Sequence, residues 1–305
     1  MIRSIMPLLL LTACSMTLAA SPPPPRQTPA LMTWDDLTSR PRPKPDVTVS
    51  YGPDAMQKVD VWLPAGNGPF KTVVMVHGGC WQTSIADRSL MDWAAADLRE
   101  AGYAVWNIDY RGVDRAGGGY PGTFEDAAAA ADLLRKDAAR FHLDTGKIVA
   151  VGHSAGGHLA LWLAARPKLP ATSALAGGDP LRIDHVISLG GLPDLEATAA
   201  SPDNGCGTEV IAQLVGPKTA AHPDPYADTS VTRLLPFGVP QDLVDGREDR
   251  IIPYRLPVDY TAKARAAGDA VTLHTVPETG HVELVSPGTA AWDETKRLIA
   301  AAFAR

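Results

Sequence analysis

Lys147–Leu161 reads KIVAVGHSAGGHLAL, and its reading decides the fold. A short apolar, β-branched run, Ile148 to Val151, stops at Gly152. His153, Ser154, Ala155 and Gly156 follow, and the chain continues rich in alanine and leucine. The pattern predicts a strand, a sharp turn and a helix, with G-x-S-x-G on the turn. A serine there carries its hydroxyl out above the sheet edge on strained backbone. Only small residues two before and two after it avoid a clash. Gly152 and Gly156 meet that need. The pentapeptide is common by chance, so its weight depends on the rest of the chain.

Working outward, other runs share the strand character. Val47–Tyr51 and Lys58–Leu63 flank Gly52-Pro53-Asp54 and predict a β-hairpin. Lys71–Val76 and Tyr103–Asp109 are predominantly apolar, as strands covered on both faces are. His185–Leu189, Gln241–Asp245 and Val271–Val276 complete the set. Between them, Asp87–Ala101 is an amphipathic helix stopped by Gly102. A helix from a Thr123/Asp126 capping box runs to about Phe141, and a last one spans about Thr289–Ala304. Strands alternating with helices imply one α/β domain over 46–305, with a mostly parallel sheet and helices on both faces. Residues 192–236 break the rhythm. They are rich in Pro, Gly and Asp, and are expected to be a cap or lid insertion or a solvated excursion.

With 305 residues and 45% hydrophobic content, the chain can bury a full core. A net charge of −6 without a Lys/Arg cluster argues against nucleic acid as a partner. Three cysteines, with no CxxC or HExxH, leave a metal site unsupported. Residues 1–20 are expected to be an export leader: Arg3 precedes an apolar stretch, Ile5–Leu11, too short to span a bilayer. Two fates compete. Small residues at Thr17 and Ala19 suit cleavage to a soluble form, whereas Leu11-Thr12-Ala13-Cys14 resembles a lipobox, with Cys14 lipidated as a membrane tether after removal of 1–13. Either places the protein in a bacterial periplasm, outside the cell or on the outer membrane. Residues 21–45, with Pro22–Pro25 unbroken, are expected to be an extended linker.

A serine hydroxyl needs a neighbouring base, itself oriented by a carboxylate. Gly246–Pro253 (GREDRIIP) follows the seventh strand and offers Asp249, with Asp245 and Glu248 as rival acids. Gly280-His281 follows the eighth strand. Carboxyl ends of strands are where an open α/β sheet places its site, so Ser154, Asp249 and His281 converge from three strand ends. Acyl transfer also needs donors for a developing oxyanion. The N–H of Ala155 is one. Gly79 and Cys80, in His77-Gly78-Gly79-Cys80-Trp81 after the third strand, are the others, with Gly78 an open alternative. Trp81 and His153 are assigned to the substrate pocket. His153 is too close along the chain to serve Ser154, and His158 is expected to be packed and hydrogen-bonded.

In these residues the chain resembles the α/β-hydrolases of the esterase/lipase group. The nearest branches are the hormone-sensitive-lipase-like, feruloyl-esterase-like and kynurenine-formamidase-like ones that carry HGG-x-W. The matching pieces are His77–Trp81, Asp109-Tyr110-Arg111, Gly152–Gly157, Asp249–Pro253 and Gly280-His281. The resemblance implies an eight-stranded sheet whose second strand is antiparallel, and cofactor-free hydrolysis through an acyl-enzyme. Cys80 departs from the glycine or alanine of many relatives but keeps its N–H. It also raises a second expectation. With Cys14 removed or lipidated, Cys80 and Cys206 remain as a pair in an oxidising compartment, either bridged or as two buried thiols.

The expected function is an exported serine hydrolase of small-molecule carboxylic esters, inactive in acid where a protonated His281 cannot accept the serine proton. An amidase, formamidase or small peptidase would use the same triad. A non-catalytic envelope binding protein is the rival of another class. Oligomeric state is not readable from the sequence.

Overall fold

Strands that are apolar on both faces need covering on both, and that requirement shapes the molecule. The computed structural model describes Ile2 and residues 30–305. The expected leader's cleavage sites and Cys14 lie outside the described residues, as do residues 21–29. In chain order the elements are α1 (Trp34–Thr38), β1 (Val47–Ser50), β2 (Lys58–Trp62), β3 (Phe70–Val76), α2 (Asp92–Glu100), β4 (Ala104–Ile108), α3 (Gly122–Phe141), β5 (Leu143–His153), α4 (Ala155–Ala165), β6 (His185–Leu189), α5 (Leu195–Ala199), α6 (Thr208–Val215), β7 (Gln241–Gly246), α7 (Arg255–Ala267), β8 (Val271–Val276) and α8 (Ala290–Ala304).

One eight-stranded sheet runs β1-β2-β4-β3-β5-β6-β7-β8. The hairpin partner β2 is antiparallel to β1 and β4, and every other pair is parallel. The core has two halves. Phe124 and Leu134 of α3, Leu159 and Trp162 of α4, and Tyr260 of α7 fill one face of the sheet. Leu37 of α1, Leu98 of α2, and Trp292 and Ile299 of α8 fill the other. Two of the buried indoles keep partners: Trp106 Nε1 donates to the Ala130 carbonyl and Trp162 Nε1 to that of Asp228, each at 2.8 Å.

Three expectations change. The Thr123/Asp126 capping box does not form, because stronger partners take both side chains. Asp126 holds the Arg111 guanidinium through two bonds of 2.7 and 2.8 Å, and Thr123 Oγ1 donates to the Arg111 carbonyl at 2.6 Å. The helix expected from Asp87 starts as a 3-10 turn, Arg88–Met91, before α2. Residues 30–45 do not form an open linker: they carry α1, whose Leu37 is fully buried. Leu37 in the core and the Met32 N–H bond to Glu283 help dock a segment whose prolines suggested an extended tether.

Residues 192–236 carry α5, α6 and a 3-10 turn at Val231–Leu234, seated by Leu195, Ile211, Leu214 and Val231 in the core. Among the described residues no helix is long and apolar enough to cross a membrane.

Asp92, at the start of α2, is buried, and its Oδ1 has no partner. Burial, with Asp60 adding repulsion, pushes its carboxyl up to about 7. Arg42, 3.9 Å away, opposes this only in part. Because the folded state holds that proton more tightly than the unfolded chain, stability is lost as pH rises through the folded value. Asp92→Asn is therefore expected to raise the melting temperature at about pH 8.5 and to lose that advantage near about pH 4. A thermal melt at the two pH values checks it, and an advantage that is independent of pH would contradict the assignment.

Candidate active site

The turn that carries Ser154 is built by close approach. Ser154 has φ +54° and ψ −122°, backbone that a non-glycine residue rarely adopts. Its N–H is anchored to the Leu189 carbonyl of β6 at 2.8 Å, and α4 starts at the next residue. A Cβ at Gly156 would lie 2.2 Å from the Val76 carbonyl oxygen and 2.4 Å from that of His77. At Gly152 it would lie 2.0 Å from the Gly156 carbonyl oxygen. Both glycines are there because backbone passes where a side chain would be.

Asp249 follows β7 on a turn that its own side chain closes. Its Oδ1 accepts the N–H groups of Ile251 and Ile252 at 2.7 and 3.0 Å. Its Oδ2 accepts from His281 Nδ1 at 2.6 Å. That bond fixes the ring's proton on Nδ1 and leaves Nε2 as the nitrogen free for base work. Ser154 and His281 line the same cavity.

Neither rival acid bonds the His281 ring, which meets Asp249. Glu248 Oε2 accepts the Thr279 N–H at 3.2 Å. Asp245 is fully buried with Oδ2 unpartnered, and burial together with the charge of Asp249 pushes its carboxyl well above the usual range.

His153 has more to do than its position beside the serine suggested. Its Nε2 donates to the His281 carbonyl at 3.1 Å, and the two rings lie 4.4 Å apart. Burial, with His281 beside it, holds its pKa well below the ordinary value, so the ring stays neutral. It also lines the cavity, where it was expected. Trp81 does not. It is fully buried, edge-on to His158, because the chain turns at positive φ through Gly79, Cys80 and Trp81 and carries the indole into the core. His158 is packed as expected, with Nε2 donating to the Thr229 carbonyl at 2.8 Å.

That same turn leaves donors bare. Among the described residues no acceptor takes the N–H of Gly79, Cys80 or Ala155, and Gly79 and Cys80 share the cavity with Ser154. The loop is braced from beneath. His77 Nδ1 donates to the Gly78 carbonyl at 2.6 Å, and its Nε2 meets Asp109 Oδ1 at 2.9 Å. Arg88 then ties Asp109 to Asp60 with bonds of 2.8 and 2.7 Å. Tyr110 stacks on His77 at 4.3 Å and donates to its carbonyl. Sequence reading noted Asp109 and Tyr110 only as matching residues. Asp60 and Arg88 carried no signal, since neither lies in a recognisable motif.

Cys80 and Cys206 form a disulfide, with Cα atoms 5.2 Å apart and 126 residues between them in sequence. The bridge pins the segment between β6 and β7 to the oxyanion loop, and Gly205 beside it forms part of the cavity wall. The cavity holds about 430 Å³ and is walled chiefly by apolar groups, among them Trp34, Ile85, Leu90 and Ile251. Among the described residues no group of three or more His, Cys, Asp or Glu could hold a metal ion.

The BD-FAE family model matches residues 59–263. No curated protein matches the chain. Solved structures with the same architecture include a truncated carbohydrate esterase from gut microbiota, at 21% identity over 87% of this chain and 100% of that one, with TM-score 0.70. Esterase B from Lactobacillus rhamnosus ("Rhamnosis") is 20% identical over 87% of this chain and 89% of its own, with TM-score 0.69. Thermogutta terrifontis esterase 2, phosphonylated by sarin, is 21% identical over 83% and 91%, with TM-score 0.67. The fold is that of the α/β-hydrolases.

Isolated without reductant, the protein is expected to show Cys80 and Cys206 unreactive to thiol reagents until it is reduced and unfolded. Cys206→Ser is expected to cost about 2–5 kcal/mol of stability in denaturant unfolding. Two freely reacting thiols in the unreduced protein would remove the bridge.

Proposed function

The chain belongs to the BD-FAE family, and from that premise we propose that it is an exported serine hydrolase that cleaves carboxylic esters of small molecules through an acyl-enzyme. The observation that carries the reading is the 2.6 Å Asp249–His281 bond beside Ser154, on a strained turn in a shared apolar cavity. In this mechanism His281 Nε2 takes the Ser154 Oγ proton as the oxygen attacks the ester carbonyl. The negative charge that forms on the carbonyl oxygen falls to the N–H groups of Gly79, Cys80 and Ala155, which have no other acceptor to leave. Asp249 keeps the Nδ1 proton in place and balances the imidazolium. His281 then gives its proton to the departing alkoxide. Water repeats the sequence on the acyl-enzyme, and no cofactor takes part.

Export rests on the leader and on the Cys80–Cys206 pair, since a structural disulfide persists in an oxidising compartment. Cleavage near residue 20 gives a periplasmic or secreted enzyme, and lipidation at Cys14 gives one tethered to the outer membrane.

Ser154→Ala is expected to lower kcat on p-nitrophenyl acetate by about 10⁴-fold or more with the fold intact. An activated phosphonate ester, by analogy with the sarin-treated Thermogutta enzyme, is expected to add one phosphonyl group at Ser154, read by intact mass and peptide mapping. A wild type inert to esters, or an alanine variant of equal activity, rejects the reading. The mature protein from a bacterial envelope is expected to start after the leader or at a lipidated Cys14; an intact Met1 in a cytosolic fraction would reject export.

A further inference from the structure

One wall of the cavity beside Ser154 comes from none of the strand-end loops. It is the segment ahead of the sheet, whose Trp34 and Thr38 face the cavity. This segment is held at several points. Leu37 is fully buried in the core half formed by α2 and α8. The Met32 N–H donates to Glu283 Oε1 at 2.5 Å, while Glu283 Oε2 accepts the N–H of Gly280 at 3.1 Å. One buried carboxylate thus joins the segment to the residue preceding His281. Leu31 packs on the same spot, its Cδ1 3.4 Å from where a Gly280 side chain would begin. Further along, Arg40 Nη1 donates to the Pro287 carbonyl and Trp93 Nε1 to that of Pro41, each at 3.2 Å. The result sets the indole of Trp34 edge-on to both active-site histidines, 6.4 Å from the ring of His281 and 6.0 Å from that of His153.

We propose that Leu31–Thr38 is a specificity-determining wall of the active site, and that Trp34 sets the size of the substrate substituent lying beside His281. This rests on the serine-hydrolase reading of the same site. A carbonyl seated between Ser154 and the donors at Gly79 and Cys80 must present one substituent toward His281, and there it meets the indole. Trp34 is half-buried, with its remaining surface turned to a cavity of about 430 Å³. An indole is large, apolar and stiff, so it excludes bulk without rearranging. The segment is part of neither the sheet nor the loops that carry Ser154, Asp249 and His281, so Trp34 can be replaced without changing any residue of those loops. Both expected leader cleavage positions lie upstream of Leu31, so the wall survives either fate.

The test measures kcat/KM on p-nitrophenyl esters of rising acyl length, and on acetyl esters of rising alcohol size. It compares the full-length wild type with Trp34→Ala, Trp34→Leu and Trp34→Phe. Trp34→Ala is expected to raise the bulky-to-small kcat/KM ratio by about 10-fold or more in one series, which also tells whether the acyl or the alcohol part faces the indole. Trp34→Leu should move the same ratio in the same direction, and serves if the alanine variant does not fold. Trp34→Phe, which keeps an aromatic wall, should stay near wild type. An active wild type whose alanine and leucine variants keep the wild-type ratio in both series overturns the wall alone. A wild type inert to every ester overturns the hydrolase reading and the wall with it.

Discussion

The site depends on one close approach: the first turn of α4 lies directly against the carboxyl end of β3. Gly156 sits so near the Val76 and His77 carbonyls that a single added carbon would overlap them. Because that gap is closed, the N-terminus of α4 and the loop leaving β3 become neighbours. Ala155 supplies an N–H from one, and Gly79 and Cys80 supply theirs from the other. A wider gap would separate Ser154 from two of these three N–H groups. Ser154 has positive φ for the same reason, since no relaxed backbone turns from β5 into a helix packed so tightly. Such a conformation costs on the order of 1–3 kcal/mol, and its neighbours must impose it. The bond from Ser154 N–H to Leu189 and the glycines on either side do so.

The oxyanion loop makes a comparable demand on the other side. Its N–H groups point into an apolar cavity with no protein acceptor, and three successive residues hold positive φ. An unbraced loop would turn those donors toward solvent or its own carbonyls. The bracing comes from charges under the sheet edge: Asp60 and Asp109 share Arg88, and Asp109 holds His77. A buried pair of carboxylates around one guanidinium is stabilising only when its remaining lone pairs are satisfied. Here Thr48 bonds to the other oxygen of Asp60, and the Tyr110 N–H to Asp109. The Cys80–Cys206 bridge closes the loop from above.

What the sequence made legible follows a physical division. The strands and the loops after β3, β5, β7 and β8 were readable because each is specified locally, by an apolar run followed by glycines or a charged turn. The order of these loops along the chain then brought the site residues together. Features decided by tertiary partners were not readable. Asp126 looked like a cap because the pull of Arg111 is invisible in one dimension. Trp81 looked like a pocket residue because it ends the His77–Trp81 loop, yet the turn at Gly79, Cys80 and Trp81 sends it inward. Residues 30–45 read as a spacer because their prolines dominate the composition, whereas their docking depends on Leu37, Trp34 and a carboxylate some 250 residues away in the chain. His153 was read as a pocket residue and not as the base for Ser154, and it does line the cavity. Its bond to the His281 carbonyl was not readable.

The acids near His281 show why sequence proximity could not choose among them and packing could. Asp245 and Asp249 are four residues apart and the side chains of both are buried, so both cannot cheaply be charged. The deciding difference is hydrogen bonding. Asp249 accepts two backbone N–H groups on one oxygen and the imidazole on the other, all of which favour the anion. Asp245 has an oxygen with no partner, and the charge on Asp249 raises its cost of ionising further. Burial therefore favours the proton on Asp245, and Asp249 is the acid that meets the His281 imidazole.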